Sequence, residues 1–136
     1  MFITTMEFKK RGTLFTPVKS VVLEFGCEVH QPMKEINGKM YIFLQLGDHV
    51  KNKINDVHIQ SNKCLQGNVT NPLEGNVLKV KVPYKYNKVT CKVLGNKVLQ
   101  ELKKGDQVTI TVEYCGVWVI NGFSGLSWKL FSLMCQ

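Results

Sequence analysis

Apolar and polar residues alternate with period two over Val77-Leu-Lys-Val-Lys-Val82 and over Gln107-Val-Thr-Ile-Thr-Val-Glu-Tyr114. A strand turns successive side chains to opposite faces, so each stretch predicts a half-buried strand. In the first, Leu78, Val80 and Val82 would enter a core while Lys79 and Lys81 face outward. In the second, Val108, Ile110 and Val112 point inward; Gly116 then interrupts, and Val117-Trp-Val-Ile120 continues on a shifted register if Gly116 forms a bulge. The β-rich run Val18 to Phe25 predicts a first strand with a bend or bulge at Gly26. Lys39-Met-Tyr-Ile-Phe-Leu-Gln-Leu46 reads as a buried second strand behind an Asn37-Gly38 hairpin turn. Asp56-Val-His-Ile-Gln60 alternates as a third strand, Lys88 to Val93 is another, and Leu126 to Leu133 closes the chain after a turn at Asn121-Gly122.

Helical spacing shows at one place, Asn96 to Lys104, where Val98, Leu99 and Leu102 predict a short helix ending at Gly105. Ser61 to Asn76, rich in asparagine with Pro72 and two glycines, reads as a long loop. Residues 1–16 read as an extended arm and 17–136 as a single domain. The pattern predicts an all-β antiparallel fold, a sandwich or small β-barrel, with one short helix.

Composition narrows this. The chain has 136 residues, enough for one core, and 44% hydrophobic residues. Five cysteines (27, 64, 91, 115 and 135) are an odd, widely spaced set in strand-like runs, which points to reduced thiols and an intracellular setting, cytoplasm or nucleus. Charges near the N-terminus replace a signal peptide's apolar region, and no apolar run is long enough to span a bilayer, so no membrane partner is expected. His49, His58 and Cys64 fit no closed zinc template, and no nucleophile, zincin or phosphate-loop signature occurs. The expectation is therefore no metal, no cofactor and no enzymatic activity.

Charge is concentrated. From Lys79 to Lys104 there are eight lysines (79, 81, 85, 88, 92, 97, 103 and 104) against Glu101 alone, a net +7 of the chain's +8, and Arg11 is the sole arginine. Lysine suits sequence-tolerant phosphate contact, whereas arginine is the usual bidentate reader of guanine edges. Tyr84 and Tyr86 interleave with this run and offer flat faces for unpaired bases. The bland alternative is a solvated face that only maintains solubility. Among the other aromatics, Trp128 is in phase with Leu126 and Leu130 and is expected in the core, while Phe123 lies in a polar glycine turn and is open to solvent. Trp118 is inward on an unbroken strand and outward if Gly116 bulges.

The closing segment, Leu102-Lys-Lys-Gly-Asp-Gln-Val-x-Ile-x-Val112 followed by Gly116-Val-Trp118, Asn121-Gly122 and Gly125-Leu-Ser-Trp-Lys-Leu130, resembles OB-fold single-stranded DNA-binding proteins of phages and large DNA viruses. The resemblance covers residues 77–133 best and 17–60 by strand pattern. It implies a five-stranded barrel that binds single strands across one face through lysines and aromatic platforms. Carried onto this chain it nominates Lys79, Lys81, Tyr84, Lys85, Tyr86, Lys88, Trp118 and Phe123, and Lys92 continues the basic run. The implied function is sequence-tolerant single-stranded DNA binding in replication, recombination or repair, with self-association into a homo-oligomer left open. Two other readings are an RNA-binding OB domain and a viral structural or scaffolding β-domain.

Overall fold

The structure, a computed structural model, describes residues 5–135. Its elements in chain order are β1 (Phe8–Arg11), β2 (Leu14–Pro17), β3 (Val22–Ile36), β4 (Lys39–Gln45), α1 (Asp48–Gln60), β5 (Asn68–Thr70), β6 (Leu73–Glu74), β7 (Val77–Lys81), β8 (Tyr84–Lys85), β9 (Lys88–Val89), β10 (Lys92–Leu94), β11 (Gln107–Ile120) and β12 (Phe123–Cys135). Five strands close a barrel in the order β3-β4-β7-β12-β11 and back to β3. Every pairing in that ring is antiparallel except β7 with β12. The expected all-β barrel with a short helix is therefore present.

The alternating runs account for the core. Val29, Ile42, Leu44, Leu78, Val80, Val108, Val112 and Leu130 are fully buried inside the ring. Asn37-Gly38 and Asn121-Gly122 both turn with two left-handed residues, which matches the twist of the hairpins they close. β3 bends where its register shifts between Val29 and Lys34, and Pro32 falls within that irregular stretch, as proline in a strand must.

Several expectations change. The helix lies at Asp48–Gln60, not at 96–104. The alternating stretch from Asp56 to Gln60 is its last turn: His58 is buried and Ile59 is 59% exposed, the reverse of a strand that would hide Val57 and Ile59 together. Val50, Ile54 and Val57 follow the helical period and pack on the barrel core. Between Asn96 and Lys104 only a 3-10 turn, Leu99–Glu101, forms. The Glu101 carboxylate accepts the Val98 N–H there, and Asp106 accepts the Lys103 N–H, so side chains take up the backbone donors on both sides of the turn.

Gly26 stays in the ladder opposite Thr109, with no register shift at that point. The stretch from Lys88 to Val93 splits into β9 and β10. Residues 8–16, expected as part of an extended arm, fold back with Pro17 as the β1–β2 hairpin, and Leu14 and Phe15 pair with β11; residues 1–4 lie outside the described residues. The long loop carries β5 and β6, which pair with β12 and β7.

Candidate nucleic-acid interface

Alternation on β4 and β7 builds one face of the site. While Ile42, Leu44, Leu78 and Val80 fill the barrel, Tyr41, Phe43, Lys79 and Lys81 stand half-buried on its outside. The register sets Tyr41 opposite Lys81 and Phe43 opposite Lys79. On the other side of β4, Lys34 is opposite Tyr41 and Gln31 opposite Phe43. The lysines use the diagonal spacing: the Lys79 ammonium lies 4.8 Å from the centre of the Tyr41 ring, and that of Lys34 lies 5.1 Å from the Phe43 ring. Cations and flat rings thus alternate across three adjacent strands. Burial raises the Tyr41 hydroxyl above its ordinary pKa, so it is a neutral hydrogen-bonding group at neutral pH.

Trp118 joins this face because of Gly116. The β11–β12 register slips between Tyr114 and Gly116, Gly116 adopts φ 111°, and the inward position passes to Val117. A side chain at Gly116 would meet the Phe15 carbonyl as well as an unfavourable φ, so the bulge requires glycine. Outward-turned Trp118 pairs with Gly125, and its indole lies flat over that glycine: a Cβ at Gly125 would sit 2.6 Å from Cε2 and 2.7 Å from Nε1. Trp118, Tyr41, Lys79, Thr70 and Ser127 border a cleft of about 90 Å³. A wider groove of about 560 Å³ adjoins it, sharing Thr70, Pro72 and Lys79 and reaching Phe43, Gln31 and His30; Glu74 is the carboxylate on its wall.

The residues nominated from the sequence fall in three places. Lys79, Lys81 and Trp118 share the barrel face just described. Phe123, 53% exposed, stands on that side at the turn end of β12, two positions from Gly125 and beside Asn68 of β5. Tyr84, Lys85, Tyr86 and Lys88 belong to a separate two-stranded sheet, β8–β9, that leaves the Lys81 end of β7. Lys92 is exposed on β10, beside Ser132 at the other end of β12. Tyr41, Phe43 and Lys34 were not nominated. For the two aromatics the signal was parity: in Lys39 to Leu46, Tyr41 and Phe43 alternate with Ile42 and Leu44.

Beneath the face lies a buried polar cluster. Trp128 is in the core, 1% exposed, and its indole Nε1–H donates to His58 Nε2 at 2.9 Å. That bond leaves the His58 proton on Nδ1, which is buried and makes no hydrogen bond of good geometry among the described residues. Burial pushes the His58 pKa down to about 4, and the nearby Asn71 side chain pulls it the other way. The Ser61 and Tyr114 hydroxyls meet at 2.7 Å, and Ser61 donates to the Val57 carbonyl. With the tilted Tyr114 and Trp128 rings 4.8 Å apart, this cluster ties α1 to the barrel wall.

Burial raises all five thiols, Cys27 to about 12, which disfavours the reactive thiolate. Among the described residues no three His, Cys, Asp or Glu side chains gather to hold a metal ion, and no helix is long and apolar enough to cross a membrane. No protein-family model, no curated relative and no solved structure matches the chain.

Proposed function

We propose that the outer face of β4, β7, β12 and the end of β11 binds single-stranded nucleic acid, with single-stranded DNA as the expected ligand and a role in replication, recombination or repair. The observation that carries this reading is the alternation of cations and rings along one face: Lys79 and Trp118 border the cleft with Tyr41, Lys79 and Phe43 line the groove that adjoins it, and Lys34 lies over the Phe43 ring. Phosphates would draw the ammonium groups off the rings, and bases would take the exposed ring faces. Lysine in place of arginine favours backbone contact without base reading. A five-stranded barrel is also the scaffold on which OB-fold proteins bind oligonucleotides. Lys79 and Lys81 take part in no ion pair among the described residues, so they are available to phosphate.

The direct test is binding of equal-length oligothymidylate, oligouridylate and duplex DNA across a salt series. Binding should favour single strands over duplex and weaken steeply with salt. A ribo-oligonucleotide preference would move the protein to RNA, and absence of oligonucleotide binding at low salt would remove the proposal. Replacing Lys79 and Lys81 together by alanine should lower the log–log salt slope by roughly 1.4, since each phosphate contact on a single strand contributes about 0.7. Trp118→Ala should instead weaken binding about tenfold with the slope unchanged, because a stacking contact of roughly 1–3 kcal/mol releases no counterion. Equal slopes for the lysine double variant and the wild type would show that these lysines do not meet phosphate.

A further inference from the structure

Among the described residues, three hairpins turn through two residues that are both left-handed. At Asn37-Gly38 the φ angles are 52° and 81°, at Asn121-Gly122 they are 48° and 82°, and at Tyr86-Asn87 they are 53° and 62°. The first two use the residue pair that tolerates this conformation best. The third places tyrosine there, a bulky residue whose Cβ crowds its own backbone at positive φ. Such strain persists where something else compensates. Among the described residues the compensation is slight: Tyr86 is 86% exposed, and its ring is approached by the Lys85 ammonium at 5.4 Å, itself on an exposed residue.

A second unfavourable choice sits beside the first. Lys85 and Lys88 face each other directly across the hairpin, and like charges in that relation destabilise a strand pair. Neither is in an ion pair among the described residues. The base of the hairpin is ordinary by comparison: Val82 is buried, Val89 packs against the core, and the Thr90 N–H donates to the Pro83 carbonyl at 2.9 Å. A sound base therefore holds out a tip whose conformation and charge both oppose folding. A partner that is anionic would relieve the repulsion, and one that presents flat apolar faces to the Tyr86 ring would offset the cost of its conformation.

We infer that the β8–β9 hairpin is a second contact for the same single-stranded nucleic acid, with Tyr86 stacking on a base and Lys85 and Lys88 on the phosphates flanking it. The inference rests on the barrel-face reading and extends it: β7 carries Lys79 of the groove and then Lys81, and two residues later the chain enters the hairpin, so the two contacts are joined by one short stretch of chain. The occupied length is then set by barrel plus hairpin, and short ligands reach only the first.

The test compares wild type with the double variant Tyr86→Asn/Asn87→Gly, which recreates the residue pair of the other two turns. Both proteins are titrated with oligothymidylates and oligouridylates from about 4 to about 16 nucleotides, the range of footprints such barrels show. The variant should match wild type on the shortest ligands, lose about tenfold on the longest, and melt at a higher temperature than wild type. The deoxy and ribo series report which sugar the hairpin accepts. Loss of affinity that is equal at all lengths, or absent at all lengths, overturns the inference, as does a lowered melting temperature. Heparin, a polyanion without bases, should bind both proteins alike; an equal tenfold loss on heparin would show that Tyr86 acts without stacking. If oligonucleotides bind and Trp118→Ala weakens them while the hairpin variant does not, the barrel-face reading stands and the hairpin inference alone falls.

Discussion

Replacing Trp128 by alanine is expected to destabilise the protein by about 3–5 kcal/mol, a large share of a small domain's total stability. The ring is 1% exposed, packs against Tyr114 and His58, and sits where β12 meets both α1 and the groove. Truncation opens a cavity and also leaves His58 Nε2 without the donor it now has at 2.9 Å. Trp128→Phe separates the two effects. It keeps most of the packing and removes the N–H, so its expected effect is the smaller cost of an unsatisfied buried acceptor, roughly 1–3 kcal/mol. Urea unfolding gives both values from the shift in midpoint, provided the slope is unchanged. Midpoints for the two variants that agree would show that the hydrogen bond, not the volume, is what Trp128 contributes.

The second large effect is acid sensitivity through His58. In the folded protein its pKa is held down to about 4 by burial, against an ordinary value of 6.5. Between those two pH values the unfolded chain takes up a proton that the folded one refuses, so stability rises with pH across this window. The contribution is complete above about pH 6.5 and is lost as the pH falls toward 4. At about 1.4 kcal/mol per pKa unit its full size is on the order of 3 kcal/mol. His58→Gln retains an acceptor for Trp128 Nε1–H but cannot titrate. Stability measured from pH 7 to pH 4 should fall by about 3 kcal/mol more in the wild type than in this variant. Parallel curves would mean that the imidazole is charged or hydrated in the folded state. Asp106, held below the usual carboxylate range by the Lys103 N–H and by Lys97, acts in the same direction at lower pH and is common to both proteins.

How much of this was legible in the sequence depended on whether one period dominated locally. Val77 to Lys81 and Gln107 to Tyr114 alternate cleanly, and both strands and their inward sets appear as read. Asp48 to Gln60 misleads because its last five residues happen to alternate while the whole segment follows the helical period. Its buried histidine, hydrogen-bonded to Trp128, replaces the apolar residue that would have marked the helix face. The aromatic half of the groove was hidden for a different reason. With Tyr41 and Phe43 on the outside and Ile42 and Leu44 on the inside, β4 looks buried on both faces. Trp118 could not be oriented without knowing that Gly116 bulges, and the bulge goes with the close approach of Phe15 on β2, in a segment that the sequence reads as an extended arm. Lys79 and Lys81 were placed on the outer side because strand parity alone decides them.

The closing seam of the barrel has a consequence for where it opens. β7 and β12 meet at a single register pair, Lys81 with Lys129, and on that edge Asn68–Thr70 pair with Phe123–Gly125 and Lys92–Leu94 with Ser132–Met134. The β3–β4 and β11–β12 hairpins close through two-residue turns, with little loop entropy to overcome. The seam must bring together three short segments distant in sequence, and it gains few backbone bonds at each. With a single register pair holding β7 to β12, the seam is expected to be the first part of the ring to open. Native-state amide exchange would be fastest there, along the line where the groove-bearing strand joins the rest of the barrel.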